Sequence, residues 1–123
     1  MIGYVTLGTS DMERAARFYD ALLGELGATR LMTFEKMILW AASPNKPTLA
    51  VVLPFDGQPA TVGNGVMVAL VVDSPAKVDA LHKKALELGA KDEGAPGPRG
   101  QGFYGGYFRD LDGNKLNFFT MAR

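Results

Sequence analysis

The pattern of hydrophobic and polar residues at the start of the chain predicts a strand followed by a helix. Between Ile2 and Gly8 apolar and polar residues alternate with a period of two, which is typical of a strand. The residues 10–13 have the form of a capping box, in which the Ser10 side chain accepts an amide hydrogen bond from the first helical turn. One apolar stripe at helical spacing then runs as far as Gly27, a residue type that commonly ends helices. The stripe consists of Met12, Ala15, Ala16, Tyr19, Leu22, Leu23 and Leu26.

The rest of the chain predicts further strands and a second helix. Strands are expected where β-branched and apolar runs are bounded by polar, glycine or proline breaks, at 29–34, 36–42, 47–53, 66–72, 103–109 and 115–121. The stretches 54–65 and 94–102 contain glycine and proline and are predicted loops, and 110–114 is a predicted hairpin turn. Ser74 followed by proline predicts the start of the second helix, which ends before Gly89.

The order of these elements indicates an internal duplication. Asp11 and Asp73 are 62 positions apart, and Gly27 and Gly89 are also 62 positions apart, in a chain of 123 residues. Each half is an α+β unit whose sheet has one side without a helix. We therefore expect the two halves to enclose a cleft that suits a small molecule.

Composition excludes several classes of function. There is no cysteine, so disulfides, thiolate metal sites and a cysteine nucleophile are excluded. Lys plus Arg and Asp plus Glu number 13 each, so the neutral chain predicts neither a nucleic-acid nor an anionic membrane partner. No apolar run approaches the roughly 18 residues of a membrane span, and a cytoplasmic protein is expected. The one histidine, His82, stands mid-helix beside two lysines and is expected on the helix surface.

Several motifs together resemble the vicinal oxygen chelate superfamily, which includes glyoxalases, bleomycin resistance proteins and extradiol dioxygenases. They are the opening Val5-Thr-Leu, Phe18-Tyr19, Gly63-Asn-Gly65 and the run from Tyr104 to Asn114. The resemblance covers essentially the whole chain and implies an α+β fold of two βαβββ modules, with curved mixed sheets around a cleft. It implies a single domain over 1–123, with module one at about 1–55, a loop at about 56–64 and module two at about 65–123.

The resemblance also implies a divalent metal held by His, Glu or Gln side chains on strands one, five and eight. Those positions correspond to Tyr4, Met67 and Asn117 in this chain. A phenol, a thioether and an amide are weak ligands for hard or borderline divalent ions. We therefore expect no metal and no other cofactor.

The candidate ligand-binding residues follow from strand alternation and from the loop sequences. Alternation places Tyr4, Thr6, Met67, Asn117 and Phe119 on one face of their strands, which is the predicted cavity face. Further candidates are Trp40, Tyr104 and Tyr107 at its rim, and Arg99 as a fork of donors for a carboxylate or phosphate. A buried Asn117 needs a hydrogen-bond partner, which is either a protein group such as the Tyr4 phenol or a ligand.

Three functions are compatible with the sequence. The first is a metal-free protein that binds a small, partly apolar molecule. The second is a divergent lyase, isomerase or dioxygenase-like enzyme with an atypical site, such as Tyr4 acting as acid or base. The third is an interaction domain whose cleft is filled, because a fold does not determine a function. The resemblance further implies a homodimer.

Overall fold

The computed structural model describes residues 1–122 and divides the chain between Val62 and Gly63 into two compact units. The elements of the first unit are β1 (Tyr4–Gly8), α1 (Met12–Gly24), β2 (Thr29–Thr33), β3 (Met37–Ala41) and β4 (Thr48–Val52). The elements of the second unit are β5 (Val68–Val71), α2 (Pro75–Glu87), β6 (Lys91–Gly100), β7 (Phe103–Arg109) and β8 (Lys115–Met121).

Each unit contains one four-stranded mixed sheet with the same strand order. The orders are β1-β4-β3-β2 and β5-β8-β7-β6. The first strand of each unit pairs in parallel with the last, and the other neighbours are antiparallel. The predicted α+β class with two βαβββ modules is therefore confirmed, and the shared topology supports the inferred duplication.

The two helices begin at residues that the sequence analysis identified only in part. Ser74 caps α2 as predicted, since its Oγ accepts the Lys77 amide at 3.2 Å. For α1, however, the cap is Asp11, whose Oδ1 accepts the Arg14 amide at 3.1 Å. Ser10 is not the cap, because its Oγ accepts the Ala60 amide from a distant loop at 3.1 Å. A capping motif in the sequence cannot show that one of two adjacent polar side chains bonds to a distant loop and leaves the other to cap the helix.

The first unit has its core between α1 and one side of its sheet. Leu22 is fully buried, as the predicted stripe requires. The Tyr19 ring packs against the indole of Trp40 on β3, with their centroids 5.7 Å apart. In that strand Ile38 and Trp40 pair with Val51 and Leu49 of β4, so these four side chains lie on the α1 side.

The second unit contains a strand where the sequence analysis predicted a loop. β6 covers most of the predicted loop at 94–102 and pairs with β7. Its pairing is interrupted by register shifts between Asp92 and Gly94, between Gly94 and Gly97, and beyond Pro98. The loop prediction was wrong because an edge strand with bulges tolerates glycine and proline, which erase the alternating pattern.

His82 is buried, so the expectation that it lies on the helix surface was wrong. It is 4% exposed and its Nε2 lies 3.0 Å from the Tyr107 carbonyl oxygen and 3.2 Å from Asp92 Oδ1. A Cβ at Gly106 would lie 3.1 Å from the imidazole Cδ2, so the absence of a side chain there allows this packing. On the same helix Asp79 is not simply solvated, since the Tyr104 hydroxyl donates to it at 2.7 Å.

Within the described residues, neither 13-residue helix is suited by length and apolarity to crossing a membrane.

Candidate functional site

The second sheet has two sides of different character. The side that faces α2 carries apolar residues such as Phe108, Leu116 and Phe118, all fully buried. Strand alternation places the intervening side chains on the opposite side, which we call the front face. The register assigns to it Ala69 and Val71 of β5, Phe103, Gly105, Tyr107 and Arg109 of β7, and Lys115, Asn117, Phe119 and Met121 of β8. The residues of this front face form the candidate site.

Asn117 lies at the centre of the front face. In the register it stands opposite Ala69 on one neighbouring strand and Tyr107 on the other. It is 1% exposed, and neither its Oδ1 nor its Nδ2 has a hydrogen-bond partner among residues 1–122. The expected alternative, in which a protein group satisfies this amide, is therefore not observed. Each buried polar group left in this way costs about 1–3 kcal/mol.

Aromatic rings form one end of the front face. Phe103 and Phe119 are stacked, with centroids 5.1 Å apart and an interplanar angle of 6°. Gly105 makes room for this arrangement, because a Cβ at that position would lie 2.8 Å from Phe103 Cε1. The result is a flat apolar surface next to the Asn117 amide, since Phe119 is two residues along the same strand.

Cationic side chains lie near the Tyr107 ring, which stands opposite Asn117, and Arg109 and Lys115 form the other end of the front face. Lys115 Nζ is 5.5 Å and Arg99 Cζ is 5.4 Å from the centroid of the Tyr107 ring, which is within cation–π range. Arg99 is exposed, and its Nη2 donates to the Ala95 carbonyl oxygen at 2.6 Å. This guanidinium thus lies on the front face, and its role as a fork of donors for a carboxylate or phosphate stays a prediction.

A carboxylate near this end already has a partner. Arg109 Nε donates to Glu93 Oε1 at 2.6 Å. That hydrogen bond holds the pKa of Glu93 below its ordinary value, and the positive charges of Arg109, Lys91 and Lys115 act in the same direction. The electrostatic environment of this end of the sheet therefore favours negative charge.

The structure separates the remaining predicted residues of the second unit. Tyr104 lies on the side of β7 that faces α2, and its hydroxyl donates to Asp79, so its predicted position at the rim of the cavity face was wrong. That hydrogen bond raises the pKa of Tyr104, and burial and the Asp79 charge add to the increase. Met67 comes just before β5 rather than within it and is 39% exposed.

In the first unit, Tyr4 and Thr6 lie exposed on the side of the sheet away from α1. They pair with Thr48 and Ala50 of β4, and the second pair corresponds to Ala69 and Asn117 in the second unit. A ligand-binding role for Tyr4 and Thr6 stays a prediction.

Trp40 is not at a rim, because its side chain is enclosed on the α1 side of the first sheet. It is 2% exposed and its Nε1 donates to Asp20 Oδ1 at 2.8 Å. Asp20 also accepts two hydrogen bonds from Arg30, at 2.9 and 2.7 Å. The Arg30 bonds lower the pKa of Asp20, with Trp40 adding to the decrease while partial burial opposes it. Trp40 is thus a core residue of the first unit, and its predicted position at a rim was wrong.

Phe103 and Lys115 belong to the site but were not among the residues predicted from the sequence. Lys115 stands two residues before Asn117, so the alternation that selected Asn117 and Phe119 also selects Lys115. Phe103 is brought to the face by the β7–β8 register, in which it pairs with Met121. That register follows from the hairpin turn, a signal that was present in the sequence.

The residues at the three metal-ligand positions do not fit a divalent ion. Tyr4, Met67 and Asn117 offer no carboxylate and no imidazole. Nor do residues 1–122 contain a cluster of three or more His, Asp or Glu side chains arranged to hold a metal.

A separate groove of about 400 Å³ occurs in the first unit. It is lined by Thr9, Ser10, Lys36, Leu53, Pro54, Phe55, Gly57, Gln58 and Pro59. None of these lining residues has a buried side-chain polar atom without a partner in the described part of the chain. The front face of the second sheet is therefore the stronger candidate.

Comparisons with known proteins give one consistent result. The family model described as the Glyoxalase/Bleomycin resistance protein/Dioxygenase superfamily matches residues 1–118. A glyoxalase/bleomycin resistance protein from Albidiferax ferrireducens is 36% identical, with a TM-score of 0.91 and 99% of each chain covered. A hypothetical protein from S. aureus is 30% identical, with a TM-score of 0.75, covering 98% of this chain and 92% of the other.

More distant structures share the fold alone. A lactoylglutathione lyase from Agrobacterium tumefaciens is 18% identical, with a TM-score of 0.71, covering 98% of this chain and 92% of the other. No functionally curated protein matches the sequence.

Proposed function

Because the chain belongs to the glyoxalase/bleomycin resistance protein/dioxygenase superfamily, we propose that it binds a small, partly apolar molecule on the front face of its second sheet. The family establishes the fold, and the front-face residues supply the specific chemistry. The molecule contacts the amide of Asn117 with a polar group and the rings of Phe103 and Phe119 with a flat apolar part.

The buried amide of Asn117 is the observation that supports this proposal. Its two polar atoms have no partner within residues 1–122 although the side chain is 1% exposed. An apolar side chain at the same place would carry no such penalty. A ligand carbonyl group can accept from Nδ2 and a ligand hydroxyl group can donate to Oδ1, and each pairing removes the part of the penalty that belongs to that atom.

Binding of this kind does not require a divalent ion. The amide is both donor and acceptor, and the adjacent aromatic pair offers apolar contact area. This combination matches the general composition of small-molecule sites, in which a few polar groups stand among apolar ones.

The test is a titration of the ¹⁵N-labelled protein with small neutral aromatic amides and ketones, followed by two-dimensional NMR. We expect the side-chain NH₂ signal of Asn117 and the backbone signals of Tyr107 and Phe119 to shift together. The Asn117→Leu variant should lose the effect at least tenfold in affinity. Thr120→Val is the matched control, because Thr120 lies on the same strand but on the side that faces α2.

One result would contradict the proposal. If the neutral aromatic compounds shift signals elsewhere in the chain and Asn117→Leu binds them as well as the wild type, the front face is not the site.

We further propose that the protein is a cytoplasmic homodimer, an assembly that its resemblance to the superfamily implies. Native mass spectrometry of the purified protein measures the subunit number and any co-purified small molecule together. A monomer at micromolar concentration would contradict the dimer.

A further inference from the structure

The front face carries an excess of positive charge although the whole chain is neutral. Lys91, Arg109 and Lys115 lie on it by strand register, and Arg99 reaches it through its contact with the Tyr107 ring. Glu93 is the carboxylate paired with this group of four cations, and Arg109 engages it. The group, which we call the cationic patch, therefore has three more positive than negative charges.

Two members of the cationic patch are placed to contact a ligand at Asn117. Lys115 precedes Asn117 by two residues on β8 and so projects to the same face, about 7 Å away along the strand. Arg99 and Lys115 both lie within 5.5 Å of the Tyr107 ring, and Tyr107 stands directly opposite Asn117 in the register. Both cations thus lie around the ring of the residue that stands opposite the buried amide.

The aromatic pair lies on the other side of the same amide. Phe119 follows Asn117 by two residues and is stacked on Phe103. Along β8 the order is therefore cation, amide, aromatic ring, with about 7 Å between successive positions. The front face is polarised in one direction, which constrains both the chemistry and the orientation of an occupant.

Resting on the binding function proposed above, we propose that the ligand is an aryl carboxylate whose carboxylate group lies between Asn117, Lys115 and Arg99. Its aromatic ring lies against Phe103 and Phe119. The Asn117 amide donates through Nδ2 to a carboxylate oxygen, and the guanidinium and ammonium groups supply charge-assisted hydrogen bonds. An acid with three methylene groups between its ring and its carboxylate matches the spacing of about 7 Å between Asn117 and Phe119 on β8.

The test compares 4-phenylbutanoate with 4-phenylbutanamide, which has the same shape without the charge, and with butanoate, which lacks the ring. Each is titrated into the ¹⁵N-labelled full chain at low salt. We expect the acid to bind at least tenfold more tightly than the amide, and butanoate to bind more weakly than the acid. We also expect the affinity of the acid to fall as sodium chloride is raised, since salt screens exposed charges.

Variants identify the cations that are responsible. Lys115→Met and Arg99→Met should each lower the affinity for the acid about threefold to tenfold, and leave the affinity for the amide unchanged. Lys83→Met is the control, because Lys83 is an exposed lysine on α2, outside the cationic patch.

The outcomes distinguish this inference from the function on which it rests. If acid and amide bind equally well and both shift the Asn117 signals, the carboxylate inference is overturned and the proposed binding function stands. If Lys83→Met weakens the acid as much as Lys115→Met does, the charge effect is nonspecific and the inference is also overturned. If none of the three compounds shifts front-face signals, both proposals fail.

Discussion

Replacing Asn117 by leucine should make the protein more stable, although leucine removes the group that we assign to ligand contact. The amide has two buried polar atoms without partners in residues 1–122, and each such atom costs about 1–3 kcal/mol. Leucine has the same branching with apolar ends, and both leucine and valine suit a strand better than asparagine does. Larger methyl groups in a closed space cost about 1–3 kcal/mol when they crowd their neighbours, which offsets part of the gain.

The net gain in the free energy of unfolding is expected to be about 1–3 kcal/mol. For a domain of this size about 4 °C accompanies each kcal/mol, so the melting temperature should rise by roughly 4–12 °C. Urea denaturation and calorimetry, both in buffer without added ligand, measure the two quantities. Asn117→Val is a second variant with less bulk, which shows whether crowding obscures the gain.

Asn114→Leu is the matched control, because Asn114 is also buried but its Nδ2 donates to Asp110 Oδ2 at 3.0 Å. Leucine there leaves the carboxylate without that donor and should destabilise the protein by about 1–3 kcal/mol. The two substitutions are thus expected to have opposite signs. If Asn117→Leu and Asn117→Val both lower the urea midpoint, the amide is satisfied in solution and our reasoning about the site is refuted.

Four other expectations follow from the same structure. Leu22→Ala and Leu81→Ala remove fully or almost fully buried side chains, and each should lower the free energy of unfolding, measured with urea, by about 2–5 kcal/mol. A decrease below about 0.5 kcal/mol would show that the helix faces are wrongly assigned. His82→Ala should destabilise by about 1–3 kcal/mol in the same assay, because it removes a buried hydrogen bond to a carbonyl group; a silent variant would contradict the burial of His82. The pKa of Asp20 is lowered in the folded state, chiefly by Arg30. The stability that this carboxylate contributes is therefore present above its ordinary pKa of 3.8 and is lost as the pH falls through the lowered pKa. The free energy of unfolding, measured at pH 6 and at pH 2–3, should change less with pH in Asp20→Asn than in the wild type. A chelator should leave the melting temperature unchanged, because a metal bound only to the folded state would have raised it; a fall after chelation, restored by a divalent ion, would refute this.

Much of the fold was predictable because its signals are local. Tyr19, Leu22 and Leu23 recur at helical spacing, and that spacing alone determines that they share one face of α1. Ser74 and the following proline specify a helix start through their own side chains. The strands β7 and β8 were predicted with their observed bounds, since an Asp-Gly-Asn turn separates two runs rich in apolar residues.

The candidate site was predicted in part, through strand alternation. Asn117 and Phe119 were placed correctly on one face because alternation needs no knowledge of the partner strands. The rim position predicted for Trp40 was wrong, because Ile38, Leu39 and Trp40 are all apolar and the sequence does not show which of them faces α1.

Only the tertiary structure decided which side chains are covered, paired or left without a partner. His82 has two lysine neighbours in the sequence but is buried because α2 lies on the sheet at Gly106, a residue distant in the chain. The strand β6 exists because β7 offers it hydrogen bonds, although its own composition indicates a loop. Periodicity is a property of one segment and is present in the sequence, whereas burial and hydrogen-bond satisfaction depend on the segment that packs against it. For that reason the sequence determined both helices, the strands other than β6 and the face on which Asn117 lies. Only the packing of the folded chain determined that the Asn117 amide is buried without a partner within residues 1–122.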